Sequence, residues 1–382
     1  MRADDPSAPR PTSPPAWGWV LDLILCPACH GPLVVQELSP DKRDGVVGHD
    51  DGSTCRETYP VIDSVVRLLV AGARGRLREE RADWFGSSPF GPRFQHWRPE
   101  SDDGGTALRL VARFDSEWRA FSEVGTAEQE RIFGRYFDVV PRDFLTAGRV
   151  MLDAGCGGGR WAYAVQRRGP RVVAVDLGRS IELAERSTRD TGRVACVQAD
   201  VRDLPVRQQA FDLVYSLGVL HHVGPTEHAV QGLAKAVRPG GVLLIYLYYA
   251  LDVRSGAYRA LFRAADAVRR RSSRLPQPLL VALTTALAAV VYYPLARLAR
   301  LARGLGLRRL SESLPLSFYA DLSFATMRND SLDRFGTTLE KRYTRAEVRR
   351  LLEDARLLDV VVSDGPPYWH AVGRVEVSAK GV

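Results

Sequence analysis

The residues best placed to do chemistry lie in the stretch Val150–Arg160, VMLDAGCGGGR. Val150-Met151-Leu152 is a short apolar run of the kind a buried parallel strand carries. It ends at Asp153 and opens through Ala154 into Gly155-Cys156-Gly157-Gly158-Gly159, after which Arg160–Val165 carries helical signals. Strand, glycine turn and helix form the first crossover of a nucleotide-binding fold. Glycines suit the turn because a backbone without Cβ atoms bends sharply and lets a ligand lie against it.

The neighbouring charges choose the ligand. A dinucleotide fingerprint places its last glycine three residues after the second, and that position here is Arg160. Asp153 would also hold a carboxylate close to a pyrophosphate. An acid at this place suits a ligand that brings positive charge, as S-adenosylmethionine does with its ammonium and sulfonium. The next apolar strand, Arg171–Val175, ends at Asp176, where a carboxylate can take the ribose hydroxyls.

These residues resemble the class I S-adenosylmethionine-dependent methyltransferases, and the match continues in order. Gln198-Ala199-Asp200-Val201 looks like the end of that family's third strand, where an acid lies near the adenine amino group. Phe211–Ser216 resembles the fourth strand. Gly218-Val219-Leu220-His221-His222-Val223 is similar to the segment that follows it in ubiquinone- and menaquinone-type members. Val237-Arg238-Pro239-Gly240-Gly241 looks like the turn into a fifth strand, Val242–Leu247. The resemblance implies methyl transfer on a Rossmann-like, seven-stranded α/β sheet. It implies cofactor contacts from Asp153, Ala154, Gly155, Cys156, Gly157, Asp176, Leu177, Asp200, Val201 and Ser216.

The elements that must position these residues can be read from either side. Residues 1–20 are Pro-rich and polar, as a disordered tail would be. Residues 21–72 contain Cys26-Pro27-Ala28-Cys29 and, later, Cys55. A CxxC on a tight turn can present two thiolates to one tetrahedral zinc. The segment resembles the zinc-ribbon-like module of tRNA methyltransferase activator subunits, which implies metal ligands at Cys26, Cys29 and Cys55. Gly52 stands where that module has its third cysteine. Two readings follow: His49 supplies the fourth ligand, or the fold survives without metal on its apolar core. Residues 73–148 read as a linker and N-terminal helices with aromatics, among them Phe114, Trp118, Phe121, Phe133 and Tyr136; the methyltransferase resemblance implies that such helices roof the substrate pocket, and simple packing helices are the other reading. Residues 149–247 form the cofactor-binding core. Residues 248–340 form a helical insertion before the last two strands, with 314–343 read as a substrate-side loop region. Residues 341–382 complete the core with a capped helix starting at Thr344-Arg345-Ala346-Glu347 and a hairpin around Gly365-Pro366-Pro367.

Composition narrows the setting. The chain has 382 residues, 45% hydrophobic, with five cysteines and no apolar leader at its start. A disulfide scaffold is therefore not expected, and a reducing cytoplasm is. Net charge is +8, yet residues 254–309 hold 12 arginines against one acid, Asp266, so the remainder is net negative. Within that segment, residues 275–296 carry no charge. Three readings compete: a helix packed on the domain or on a second copy, a helix lying in the inner membrane face, and a true span.

In-line methyl transfer asks the protein to align the nucleophile and exclude water, and an oxygen nucleophile also needs a proton acceptor. His221 and His222 lie at the ligand edge and are candidates for that acceptor, with Tyr319 and Asp330 behind them. The large apolar insertion points to a hydrophobic small acceptor, methylated on O or C: a quinone precursor, a polyketide or a lipid-linked intermediate. RNA methylation is the alternative, since CPACHGPL is also similar to a finger of rRNA guanine methyltransferases. Against it, the basic cluster interleaves with Leu and Ala rather than with aromatics. A non-catalytic scaffold that only binds the cofactor is the third reading.

Overall fold

The computed structural model describes residues 15–97, 126–250, 256–336, 340–364 and 368–377. The polar tail at 1–14, the aromatics Phe114, Trp118 and Phe121, and the turn at 365–367 lie outside them. One sheet dominates. In chain order its strands are β1 (Val34–Leu38), β2 (Gly45–Gly48), β3 (Thr58–Ile62), β4 (Val65–Arg67), β5 (Val150–Ala154), β6 (Arg171–Asp176), β7 (Val194–Gln198), β8 (Phe211–Leu217), β9 (Val237–Tyr248), β10 (Leu358–Val362) and β11 (Tyr368–Arg374).

The spatial order β7-β6-β5-β8-β9-β11-β10 forms the expected seven-stranded unit. β7, β6, β5, β8 and β9 run parallel, and β11 and β10 close the edge antiparallel. Near-continuous Val/Leu/Ile runs produce this arrangement because both faces of the sheet are covered. Leu152, Val173 and Val214 point to one side, against Ala229, Val230 and Leu233 of the helix Thr226–Ala236 and Val348 and Leu352 of the helix Arg345–Asp354. Met151, Ala174 and Leu213 point to the other, against Phe133, Trp161 and Ile181. The helices on that second face are α3 (Thr126–Tyr136), α4 (Arg160–Gln166) and α5 (Ile181–Thr188); α6 spans Thr226–Ala236 and α12 spans Arg345–Asp354. Thr344 and Glu347 make both hydrogen bonds of the predicted capping box.

The N-terminal module is continuous with this sheet. β1 to β4 form an antiparallel meander, and β4 then pairs parallel with β7, Val66 opposite Val197 and Arg67 opposite Gln198. The sheet therefore has eleven strands. The pairing covers an edge that would otherwise present free N–H and C=O groups. Arg67 seals the joint with no solvent exposure, its guanidinium 2.9 Å from Gln198 Oε1 and 3.3 Å from the Glu182 carboxylate on α5. The stretch that follows is packed rather than loose. α1 (Ala71–Glu80) and α2 (Ala82–Ser87) bring Phe85, Phe94 and Trp97 together, with Phe94 and Trp97 ring centroids 5.2 Å apart.

The insertion folds as α7 (Gly256–Ser272), α8 (Gln277–Leu287), α9 (Tyr293–Gly304), α10 (Arg308–Ser313) and α11 (Phe324–Gly336). A π-helical turn, Ala288–Tyr292, joins α8 to α9. Pro294, which has no N–H to give to the preceding turn, accounts for the widened helix there. The expected loop around 314–343 is largely α11. No glycine or proline lies between Phe324 and Phe335, so nothing stops the helix.

Arg67→Ala strips the fully buried guanidinium partner from the Glu182 carboxylate, although Arg81 and Arg179 stay 3.6 and 3.7 Å away. It is expected to cost about 3–5 kcal/mol, the usual penalty for breaking a buried pair. Urea unfolding of the full chain measures this.

Candidate active site and metal centre

Parallel strands place their C-terminal ends on one edge, so Asp153, Asp176 and Asp200 emerge side by side. Asp153 is 1% exposed and its Oδ2 has no hydrogen-bond partner. Burial drives its carboxyl well above the ordinary range; the Tyr215 hydroxyl beside it pulls back, and the charge of Asp176 adds to the rise. A buried carboxylate with a spare oxygen and a neighbouring carboxylate calls for a cation. The ammonium of S-adenosylmethionine would meet that need.

The glycine turn is built for close approach. Gly155, Gly157 and Gly159 have φ of 84°, 53° and 81°. A Cβ on Gly155 would come within 2.5 Å of Val219, and one on Gly159 within 2.7 Å of the Ala184 backbone. Asp176 braces the loop, accepting from Gly157 N at 2.9 Å and Gly178 N at 2.8 Å. Ser180 Oγ also donates to Asp176 Oδ1, at 3.4 Å. Ala154 and Cys156 are buried in the strand end and the turn, and Leu177 is half-buried, its carbonyl accepting from Gln198 Nε2 at 2.9 Å. Ser216 is fully buried and donates to Ala154 O at 2.8 Å, tying β8 to β5. Asp200 is clasped by Arg202, whose Nε lies 3.0 and 2.9 Å from its two oxygens. An adenine amino group at this end, beside Val201, must share that carboxylate with the guanidinium.

Beyond the glycine turn buried polar side chains cluster into a chamber-like group. Its floor is His221, His222, Tyr246 and Tyr248 from the ends of β8 and β9. His221 stacks on Tyr248, centroids 3.9 Å apart, and meets the His222 ring at 4.1 Å with the planes tilted by 53°. Burial pushes the His221 ring well below 6.5, with His222 and Arg342 adding to the drop, so it is neutral at pH 7. The roof is Tyr136 of α3, with its ring centroid 5.1 Å from that of Tyr246 and 5.0 Å from that of Trp161. The far wall is α11, where Asp330, Asp333 and Arg334 share a face at i, i+3, i+4 spacing. Tyr248 donates to Asp333 Oδ2 at 2.5 Å. Burial raises Asp330 to about 6, with Tyr319 and the guanidiniums of Arg160 and Arg334 opposing the rise. Glu128 of α3 accepts from Thr326 Oγ1 at 2.7 Å, which pins the roof to that wall. Arg160 Nε and Nη2, Asp333 Oδ1, Glu340 Oε2 and both amide atoms of Asn329 are buried without partners. Tyr248, Asp333, Arg160 and Glu340 escaped the reading of the sequence. The signal for Asp333 was the helical spacing from Asp330; nothing local marks the others, because distant segments bring them together.

The family model for a methyltransferase domain matches residues 152–245. The chain carries a class I S-adenosylmethionine-dependent methyltransferase domain. That domain is 30% identical over 133 residues to the ubiquinone biosynthesis O-methyltransferase of Chromobacterium violaceum, an alignment covering 33% of this chain and 53% of that protein. It is 38% identical over 104 residues to the tRNA U34 carboxymethyltransferase of Methylococcus capsulatus, covering 26% and 32%. A solved DhpI-SAH complex aligns over 72% of this chain and 99% of that one, with 15% identity and a TM-score of 0.43. The chain spans about half the length of the curated relatives it matches.

The module ahead of the methyltransferase domain forms a second site. Sγ of Cys26, Cys29 and Cys55 and a ring nitrogen of His49 lie within 4.8 Å of one another. Four such donors around one point fit tetrahedral zinc, with His49 as fourth ligand. The CxxC knuckle closes through Cys26 N to Gly31 O at 2.9 Å and His30 N to Cys26 O at 2.8 Å. His49, at the end of β2, lies 3.5 Å from Cys29 Sγ. Burial pushes the Cys26 thiol up, but hydrogen bonds from Tyr59, the Cys29 and Ala28 backbone and His49 outweigh it and bring it down to about 7. Zinc bound there would cross-link the knuckle to β2 and to the loop before β3.

Two outcomes follow from these sites. Metal analysis of the purified protein is expected to find about one zinc per chain, lost in Cys55→Ser. Donor binding is expected to strengthen as pH rises, because the raised Asp153 carboxyl must release its proton to hold a cation. Calorimetry of S-adenosylmethionine in two buffers of different ionisation enthalpy reads that proton, and Asp153→Asn should abolish its release.

Proposed function

We propose that this protein transfers a methyl group from S-adenosylmethionine to an O or C atom of a small amphiphilic acceptor, a hydrophobic molecule with a polar head. The observation that carries this reading is the chamber of unpartnered buried polar atoms at the mouth of the glycine turn, closed over by an apolar insertion. Quinone precursors and lipid-linked intermediates have this combination. Similarity to the ubiquinone O-methyltransferase is in keeping with this reading, but like the similarity to the tRNA-modifying enzyme it is confined to the methyltransferase domain, so both speak for the donor and the acceptor reading rests on the site.

Bound S-adenosylmethionine supplies an activated methyl on a sulfonium that leaves as a neutral thioether. The chain supplies the rest. Asp153 holds the ammonium, Asp176 the ribose diol, and Asp200 the adenine end. Asp330 accepts the proton of an acceptor hydroxyl; its poise near 6 leaves it ionised at pH 7 yet basic enough to act. Neutral His221 and the adjoining His222 ring form the floor on which the head rests, with Asp333 and Tyr248 fixing its second polar group. α11 and α3 keep water out.

A panel of phenolic and enolic acceptors with and without an alkyl tail tests this, read by formation of S-adenosylhomocysteine. Activity should require both the polar head and the tail. kcat/KM should climb with pH through about 6 as Asp330 ionises. Asp330→Asn should remove that limb and lower kcat by about 100-fold or more. Activity on tRNA alone, with binding that weakens steeply with salt, would overturn the reading.

A further inference from the structure

Among the described residues 17 large apolar side chains are exposed, and 12 of them lie between Val268 and Phe324. They are not scattered. Along α8, the π turn and α9, Leu280, Thr284, Ala288, Tyr292, Ala296 and Ala299 are buried against the protein, nearly every fourth residue. The opposite face turns outward, with Val290 at 74%, Leu301 at 59% and Leu305 at 68% exposure. A monomer rarely leaves so contiguous an apolar face uncovered.

Charge decides what covers it. Arg300, Arg303, Arg308 and Arg309 stand among these leucines, and Arg270, Arg271 and Arg274 flank the other end. Among the described residues Asp321 is the acid that answers Arg300 and Arg303, at 4.0 and 2.7 Å. A second copy of the chain would bring a like-charged face against this one. A duplex or folded RNA would leave the leucines in water. An anionic lipid surface satisfies both, with acyl chains for the leucines and phosphates for the guanidiniums. Gln277–Gly304 is long and apolar enough to span a bilayer. Its inner face, however, is held by α11 and by Ser331 Oγ to Thr284 O at 3.1 Å, and crossing would strip those contacts.

We propose that the outer face of α8 and α9 docks on an anionic membrane surface and lies in its plane. This rests on the methyltransferase reading above and adds to it the route of the acceptor. Tyr292 belongs to the same helix, is buried beside Tyr319 with centroids 5.4 Å apart, and touches Arg334 of the chamber. One helix thus meets lipid on its outer side and borders the chamber on its inner side. An acceptor head can enter while its tail stays in the bilayer.

Flotation of the full chain with vesicles tests the docking, using phosphatidylglycerol and phosphatidylcholine in equal parts against phosphatidylcholine alone. Binding to the anionic vesicles should be at least about tenfold tighter and should fall with salt. Leu301→Glu with Leu305→Glu should abolish it while calorimetric affinity for S-adenosylhomocysteine stays within about twofold, since both side chains are solvent-facing. No binding to anionic vesicles, or binding that the double variant retains, overturns the docking. So does a wild-type dimer that the double variant converts to monomer, which would assign the face to a second copy. Absence of heat with S-adenosylhomocysteine in the wild type would instead overturn the methyltransferase reading, whatever the vesicles show.

Discussion

The parallel pairing of β6, β5 and β8 is the constraint on which the ligand edge depends. Its register sets Asp153 opposite Ala174 and Tyr215, and Asp176 opposite Gln198. A slip of one residue would turn Asp153 to the other face and remove it from the glycine turn. The apolar runs forbid the slip, because every residue from Met151 to Ala154 is buried. A stable core thereby fixes an unstable carboxylate, which stays costly until a cation meets it.

The chamber shows the same trade at larger scale. The carboxylates of Asp330, Asp333 and Glu340 and the guanidiniums of Arg160 and Arg334 share a low-dielectric space with buried tyrosines and histidines. Unmatched polar atoms in such a space weaken the fold, and native proteins keep them where a ligand completes the set. The roof and the wall are joined by Glu128 and Thr326, nearly two hundred residues apart in the chain. Closing the chamber therefore needs both the N-terminal helix and the insertion.

Much of this was legible in the residues alone. The glycine turn, the acids at successive strand ends and the capping box are local signals, and each lies where its neighbours implied. The seven-stranded order followed from the family motifs. The eleven-stranded sheet did not, because Val65-Val66-Arg67 looks like any short strand and nothing in it names β7 as its neighbour. The chamber was half visible. Asp330 and Tyr319 could be named as secondary proton-acceptor candidates on the substrate side, whereas Arg160 and Glu340 gain meaning only from tertiary packing. His49 was one of two open readings of the metal site, and its ring lies with the three thiols.

Arg67 joins the cysteine-bearing ribbon to the nucleoside cradle by a short relay. Its guanidinium holds Gln198 Oε1, and the same amide donates to the carbonyl of Leu177, next to Asp176. The ribbon is thus not a cassette that can be exchanged between enzymes of this kind. A transplanted ribbon would need an arginine at the strand position facing Gln198, or the cradle would lose one of its struts although no cradle residue had changed.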